Sequence, residues 1–77
     1  MLFKRKHKDN VQAVYVSNMV YSQNEAARIV SEIGYKTNKV IYEKCYYVFK
    51  QYSKSKKKEY FIHKYSRNKY IDFCIEV

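Results

Sequence analysis

A chain of 77 residues makes one domain, and a domain of that size buries only about 60% of the surface its unfolded chain exposes, so a partner or a second copy would help to hold it. An apolar fraction of 47%, with ten tyrosines and four phenylalanines, argues against wholesale disorder although 30% of the residues are charged. The net charge is +9 and is unevenly placed: residues 1–10 carry +3, residues 11–53 carry +2, residues 54–70 carry +6 and residues 71–77 carry −2.

Clustered lysine and arginine release counterions from phosphates, so the placement predicts a polyanionic partner, nucleic acid first and an anionic membrane surface second. A blander cause competes. Lysine outnumbers arginine thirteen to three, and Lys, Tyr, Ile, Asn and Phe make up about half of the chain, as an A+T-rich genome such as that of a phage, an archaeal virus or a low-GC bacterium would produce. Genome bias explains the totals and not the clustering. There is no run of about 18 apolar residues and none behind the basic N-terminus, which predicts an intracellular, cytoplasmic protein, in the host cell if viral. Cys45 and Cys74 are then expected to be reduced; a disulfide would suit an oxidising compartment or a hyperthermophile.

In chain order, residues 1–10, MLFKRKHKDN, have a charge run without periodicity and are read as a mobile basic arm holding Lys4, Arg5 and Lys6. Residues 11–77 are read as a single α+β domain. VQAVYVSN is apolar on both sides of its alternation, as an inner strand is. In YSQNEAARIVSEIG, Ser22 and Glu25 form a capping box, Ala26, Ile29, Val30 and Ile33 make one apolar stripe, and Gly34 stands where a left-handed cap is needed. A helix over residues 23–33 follows. Its outer face carries Glu25, Arg28 and Glu32, which suits packing better than insertion into a DNA groove.

Residues 37–53 fit two templates. Val40, Ile41, Cys45, Val48, Phe49 and Tyr52 make a helical stripe, while the aromatic and branched residues of CYYVFKQY favour a pleated surface and a strand over 44–52. A helix there would give a ribbon-helix-helix layout, or a winged-helix layout with a C-terminal hairpin. EYFIHKY and YIDFCIEV, separated by SRNK, read as a hairpin. Pairing Tyr65 with Tyr70 sets His63 against Asp72 and Phe61 against Cys74 on one side, and sends Tyr60, Ile62, Ile71, Phe73, Ile75 and Val77 to the core. The predicted fold is therefore a strand, one short helix and a three-stranded antiparallel meander, with the helix on one face.

On that register Phe61, Tyr65 and Tyr70 face away from the core, between a loop of Lys54, Lys56, Lys57 and Lys58 and a turn holding Arg67 and Lys69, with Lys64 on the strand. Such rings stack unpaired bases at about 1–3 kcal/mol each while ammonium groups hold the backbone. The competing reading packs the same rings against a second layer. His63 beside Asp72 has the form of a general base with its orienting carboxylate, yet no nucleophile or oxyanion device accompanies it. His7, Cys45, His63 and Cys74 lack the paired spacing of a zinc site, and one glycine cannot build a phosphate loop.

The expectation is a non-enzymatic, small basic nucleic-acid-binding accessory or regulatory protein with no metal and no cofactor. With three arginines, weak sequence preference is expected. The alternative is a protein-interaction module or viral inhibitor docking on an acidic or nucleic-acid-binding surface of a host protein, where clustered lysines would steer association. A homodimer fits either reading.

Overall fold

The doubly apolar run VQAVYVS forms β1 (Val11–Ser17), the central strand of a five-stranded antiparallel sheet in a computed structural model that describes residues 10–77. The other elements are α1 (Gln23–Ile33), β2 (Val40–Tyr42), β3 (Tyr46–Lys50), β4 (Tyr60–Lys64) and β5 (Ile71–Glu76), and the sheet order is β2-β3-β1-β5-β4. With β3 on one side and β5 on the other, β1 has a ladder along each edge and Val11, Ala13, Val14 and Val16 are all buried. The basic arm, with Lys4, Arg5 and Lys6, lies outside the described residues.

α1 covers one face of the sheet. At its start the Glu25 amide donates to Ser22 Oγ at 3.2 Å and the Ser22 amide donates to Glu25 Oε1 at 2.9 Å, so two otherwise orphaned donors are satisfied. Such a cap contributes about 1 kcal/mol, and these Ser22 bonds hold the Glu25 carboxyl below the ordinary glutamate range. At its end Gly34 takes φ 106°, and the Gly34 and Tyr35 amides donate to Ser31 and Val30 carbonyls. Only glycine takes that dihedral without a Cβ penalty. Ala26 and Val30 then meet Val14, Val16, Phe49, Ile71 and Phe73 in the core, with Tyr35 and Tyr65 packed around Phe73.

The α+β class and the helix over 23–33 are as the sequence predicts. The meander is not. β3 pairs with β1 and not with β4, and a short β2 precedes it, so residues 37–53 are a β-hairpin closed by Lys44 and Cys45, and neither helical layout forms.

The C-terminal hairpin forms with its register shifted by one residue. His63 opposes Phe73, Phe61 opposes Ile75, and the Tyr65 amide donates to Ile71. The cause lies in the turn: Asn68 Oδ1 accepts from the Tyr70 amide at 2.9 Å and the Tyr70 carbonyl accepts from Ser17 of β1, which takes Tyr70 out of the ladder. A one-residue slip exchanges the faces of a strand. The predicted core face of β5 stands for Ile71, Phe73 and Ile75, which are buried on the helix side, and fails for Val77, which lies past the strand end and is 75% exposed. On β4, Phe61, His63 and Tyr65 turn to the helix side, and Tyr60, Ile62 and Lys64 turn to the open one.

Candidate nucleic-acid interface

The ends of the strands decide what gathers where. Lys50 closes β3 opposite Ala13 near the start of β1, and the Lys50 amide donates to the Lys39 carbonyl at 3.0 Å. The Gln51 side chain clamps residue 36: Nε2 donates to the Lys36 carbonyl at 3.0 Å and Oε1 accepts from the Lys36 amide at 2.9 Å. The loop that follows returns to β4, whose first residue, Tyr60, opposes Glu76 at the close of β5. Lys36, Lys39, Lys50, Lys54, Lys56, Lys57 and Lys58 therefore converge on one end of the sheet, the end at which β1 begins.

That end is braced by the buried Gln12 and by a pair of more exposed side chains, Tyr52 and Glu76. Gln12, in a bulge of β1 and 1% exposed, donates from Nε2 to the Tyr52 carbonyl at 2.6 Å. The Tyr52 hydroxyl donates to Glu76 Oε1 at 2.8 Å, and Lys58 Nζ stands 3.2 Å from Glu76 Oε2. These two partners hold the Glu76 carboxyl below the ordinary range, the tyrosine hydrogen bond being the larger cause. Desolvation, then the Glu76 bond and charge, push Tyr52 up to about 12 from an ordinary 10.0. A raised acid contributes stability that is complete below its unfolded pKa and is lost as pH rises through its folded one. The thermal midpoint is accordingly expected to fall between about pH 10 and pH 12 more steeply in the native protein than in Tyr52→Phe; parallel profiles would show that the hydroxyl bond contributes nothing.

Of the predicted phosphate-binding residues, Lys54, Lys56, Lys57 and Lys58 sit together on the exposed loop at this end, with Lys54 Nζ 5.4 Å from the Tyr60 ring centroid. Arg67 and Lys69 sit at the far end of β4, about 17 Å away for a five-residue strand. Lys64 lies on the open face, its Nζ 3.9 Å from Asp72 Oδ1. That is an ion pair too long to be a hydrogen bond, and Asp72 Oδ1 is buried without a hydrogen-bond partner. The sequence reading missed Lys36, Lys39 and Lys50, because in a stretch of near-neutral total charge only the hairpin of β2 and β3 gathers them.

The predicted aromatic face is corrected by the register. Tyr65 packs on Phe73 with ring centroids 5.2 Å apart and belongs to the core cluster. Tyr70 is 38% exposed at the turn end, edge-on to Tyr21, and Phe61 is 44% exposed on the helix side of β4, one residue from Tyr60. The open face instead shows Tyr15 and Tyr46, in edge contact at 5.7 Å, with Tyr60 at the basic end and Ile41 and Ile62 exposed on the outer strands. Beneath them Ala13, Val48 and Cys74 form a small second cluster.

The slip also separates His63 from Asp72, which now stand on opposite faces, so the acid–base pair is not assembled. Cys45 and Cys74 are both free, the first exposed and the second buried; burial pushes the Cys74 thiol up and keeps it neutral. Among the described residues no group of three His, Cys, Asp or Glu side chains is placed to hold a metal. Also among them, no helix is long and apolar enough to cross a membrane.

Fold and site together define an antiparallel sheet backed by one helix, open on its other face and strongly basic at one end. Comparison with known proteins finds no matching family, no matching curated protein and no matching solved structure.

Proposed function

We propose that this chain is a small, non-enzymatic nucleic-acid-binding protein, an accessory or regulatory factor of phage or viral origin acting inside the host cell without metal or cofactor. The observation that carries the reading is the convergence of seven lysines from three separate stretches on one end of the sheet, where among the described residues Glu59 and Glu76 are the acidic neighbours and Glu43 shares a pocket with Lys50 and Lys54. Concentrated there, they meet a phosphate backbone as a group, while lysine ammonium groups read no base edges and leave sequence preference weak. Tyr60 and Phe61, adjoining the loop on the two faces of β4, are the rings best set to stack on an unpaired base.

Titration against single-stranded and duplex oligonucleotides over a range of salt tests this. Binding that weakens steeply with salt is expected, with a logarithmic slope of about −0.7 per phosphate contact for single strands and −0.9 for duplex. Absence of binding at low salt would end the reading. Ile62 at 56% and Phe61 at 44% exposure on an edge strand favour a second one, in which the same basic end steers the protein onto an acidic or nucleic-acid-binding surface of a host protein, or β4 adds to a second copy.

A further inference from the structure

The basic end is not a flat patch. Between the loop after α1 and the end of β3 lies a pocket of about 240 Å³ lined by Lys36, Asn38, Lys39, Lys50, Gln51 and Ser53, together with Tyr52. Among the described residues no carboxylate lines it. Lys36, Lys39 and Lys50 line this one cavity and take part in neither of the two ion pairs, Lys58 with Glu76 and Lys64 with Asp72; Lys50 also borders a neighbouring pocket with Glu43 and Lys54. The Gln51 side-chain carboxamide is not available to a ligand, since it is used up on the Lys36 backbone and on the Phe49 carbonyl. It acts as a brace. With the Lys50 amide bonded to Lys39 and the Gln51 amide bonded to Gln12, both walls of the pocket are fixed by backbone ladders.

Three like charges around one concave site repel each other until an anion enters, and lysine, a compact point charge, suits a phosphate group that offers several acceptor oxygens. We infer that this pocket seats one phosphate group, held by Lys36, Lys39 and Lys50 with Asn38 and Ser53 as neutral donors. The inference rests on the proposed function for the natural source of that group, a nucleic-acid strand; a free phosphate compound is the other source of the same chemistry.

The test is an amide NMR titration of the full chain with sodium pyrophosphate, against sodium chloride at matched ionic strength. A saturable shift of the Lys36 amide and the Gln51 side-chain NH₂ is expected, weakened about tenfold or more in the combined variant Lys36→Gln, Lys39→Gln, Lys50→Gln. Should that variant lose the dispersion of a folded protein, Lys36→Gln and Lys39→Gln made singly carry the test, each weakening pyrophosphate about threefold. A shift reproduced by chloride, or one unchanged in these variants, overturns the site.

A second arm adds a single-stranded oligonucleotide to the pyrophosphate complex. Displacement at the same resonances supports the pocket and identifies the strand as the source. Pyrophosphate binding that no oligonucleotide disturbs keeps the pocket and assigns it to a free phosphate compound, while the salt titration of oligonucleotide binding decides the nucleic-acid reading separately. Oligonucleotide binding without any pyrophosphate effect overturns the pocket alone.

Discussion

Phe49→Ala is expected to remove about 3–5 kcal/mol of stability, against a total of roughly 4–12 kcal/mol for a domain of this length. The ring is 1% exposed on the helix side of β3, opposite Val14 of β1 and Val40 of β2, and packs in the cluster that holds Ala26 and Val30 of α1. Truncation leaves a cavity where the helix meets the β2–β3 hairpin, and a small chain has little surplus to absorb it. The measurement is the urea midpoint, with Phe61→Ala as the comparison. Phe61 is 44% exposed on an edge strand, so its loss is expected to cost under about 1 kcal/mol. Similar midpoints for the two variants would contradict the placement of the core. Because Phe49 immediately precedes Lys50 and Gln51, the same cavity is expected to loosen the basic pocket.

Local signals were the legible part of this fold. The Ser22 and Glu25 box and the glycine at 34 mark the helix to the residue, since both act within one turn of chain. The run from Val11 to Val16 also showed an inner strand, and an inner strand needs a neighbour on each side. A meander confined to the C-terminal part gives it at most one, so the sequence already held the objection to the predicted topology. The hairpin of β2 and β3 was hidden because Lys44 and Cys45 carry none of the Asn-Gly or Asp-Gly signal of a two-residue turn, and among the described residues only Gly34 takes a positive φ. The register of β4 was hidden for another reason. Asn68 binds the Tyr70 amide and lengthens the link by one residue, a choice between side-chain and ladder bonding that composition does not reveal.

The same contrast holds for the site. The loop lysines were legible because they are contiguous, whereas Lys36, Lys39 and Lys50 join them only through the pairing of β2 with β3. Contiguity overstated the site too, by merging the loop with the turn at 66–69 although a strand separates them. That separation decides the last expected result.

Lys56→Gln, Lys57→Gln, Lys58→Gln in one variant is expected to lower oligonucleotide affinity about 10²-fold near 0.1 M salt and to reduce the salt slope by about 2–3. Arg67→Gln with Lys69→Gln is expected to change the slope by less than about 1. The two variants remove comparable numbers of charges, so the difference is one of place. The far end of β4 lies about 17 Å from the loop, and the Debye length near physiological salt is about 8 Å, so charges at the turn act weakly on a backbone held at the basic end. Lys69 Nζ is also engaged over the Tyr70 ring at 5.4 Å, and Glu43 and Glu25 stand near that end, on the turn before β3 and the first turn of α1. If both variants flatten the slope equally, the strand runs along the whole sheet and the open face with Tyr15, Tyr46 and Tyr60 becomes its track. If only the loop variant does, the nucleic acid crosses the basic end, and its phosphates lie within reach of Lys36, Lys39 and Lys50.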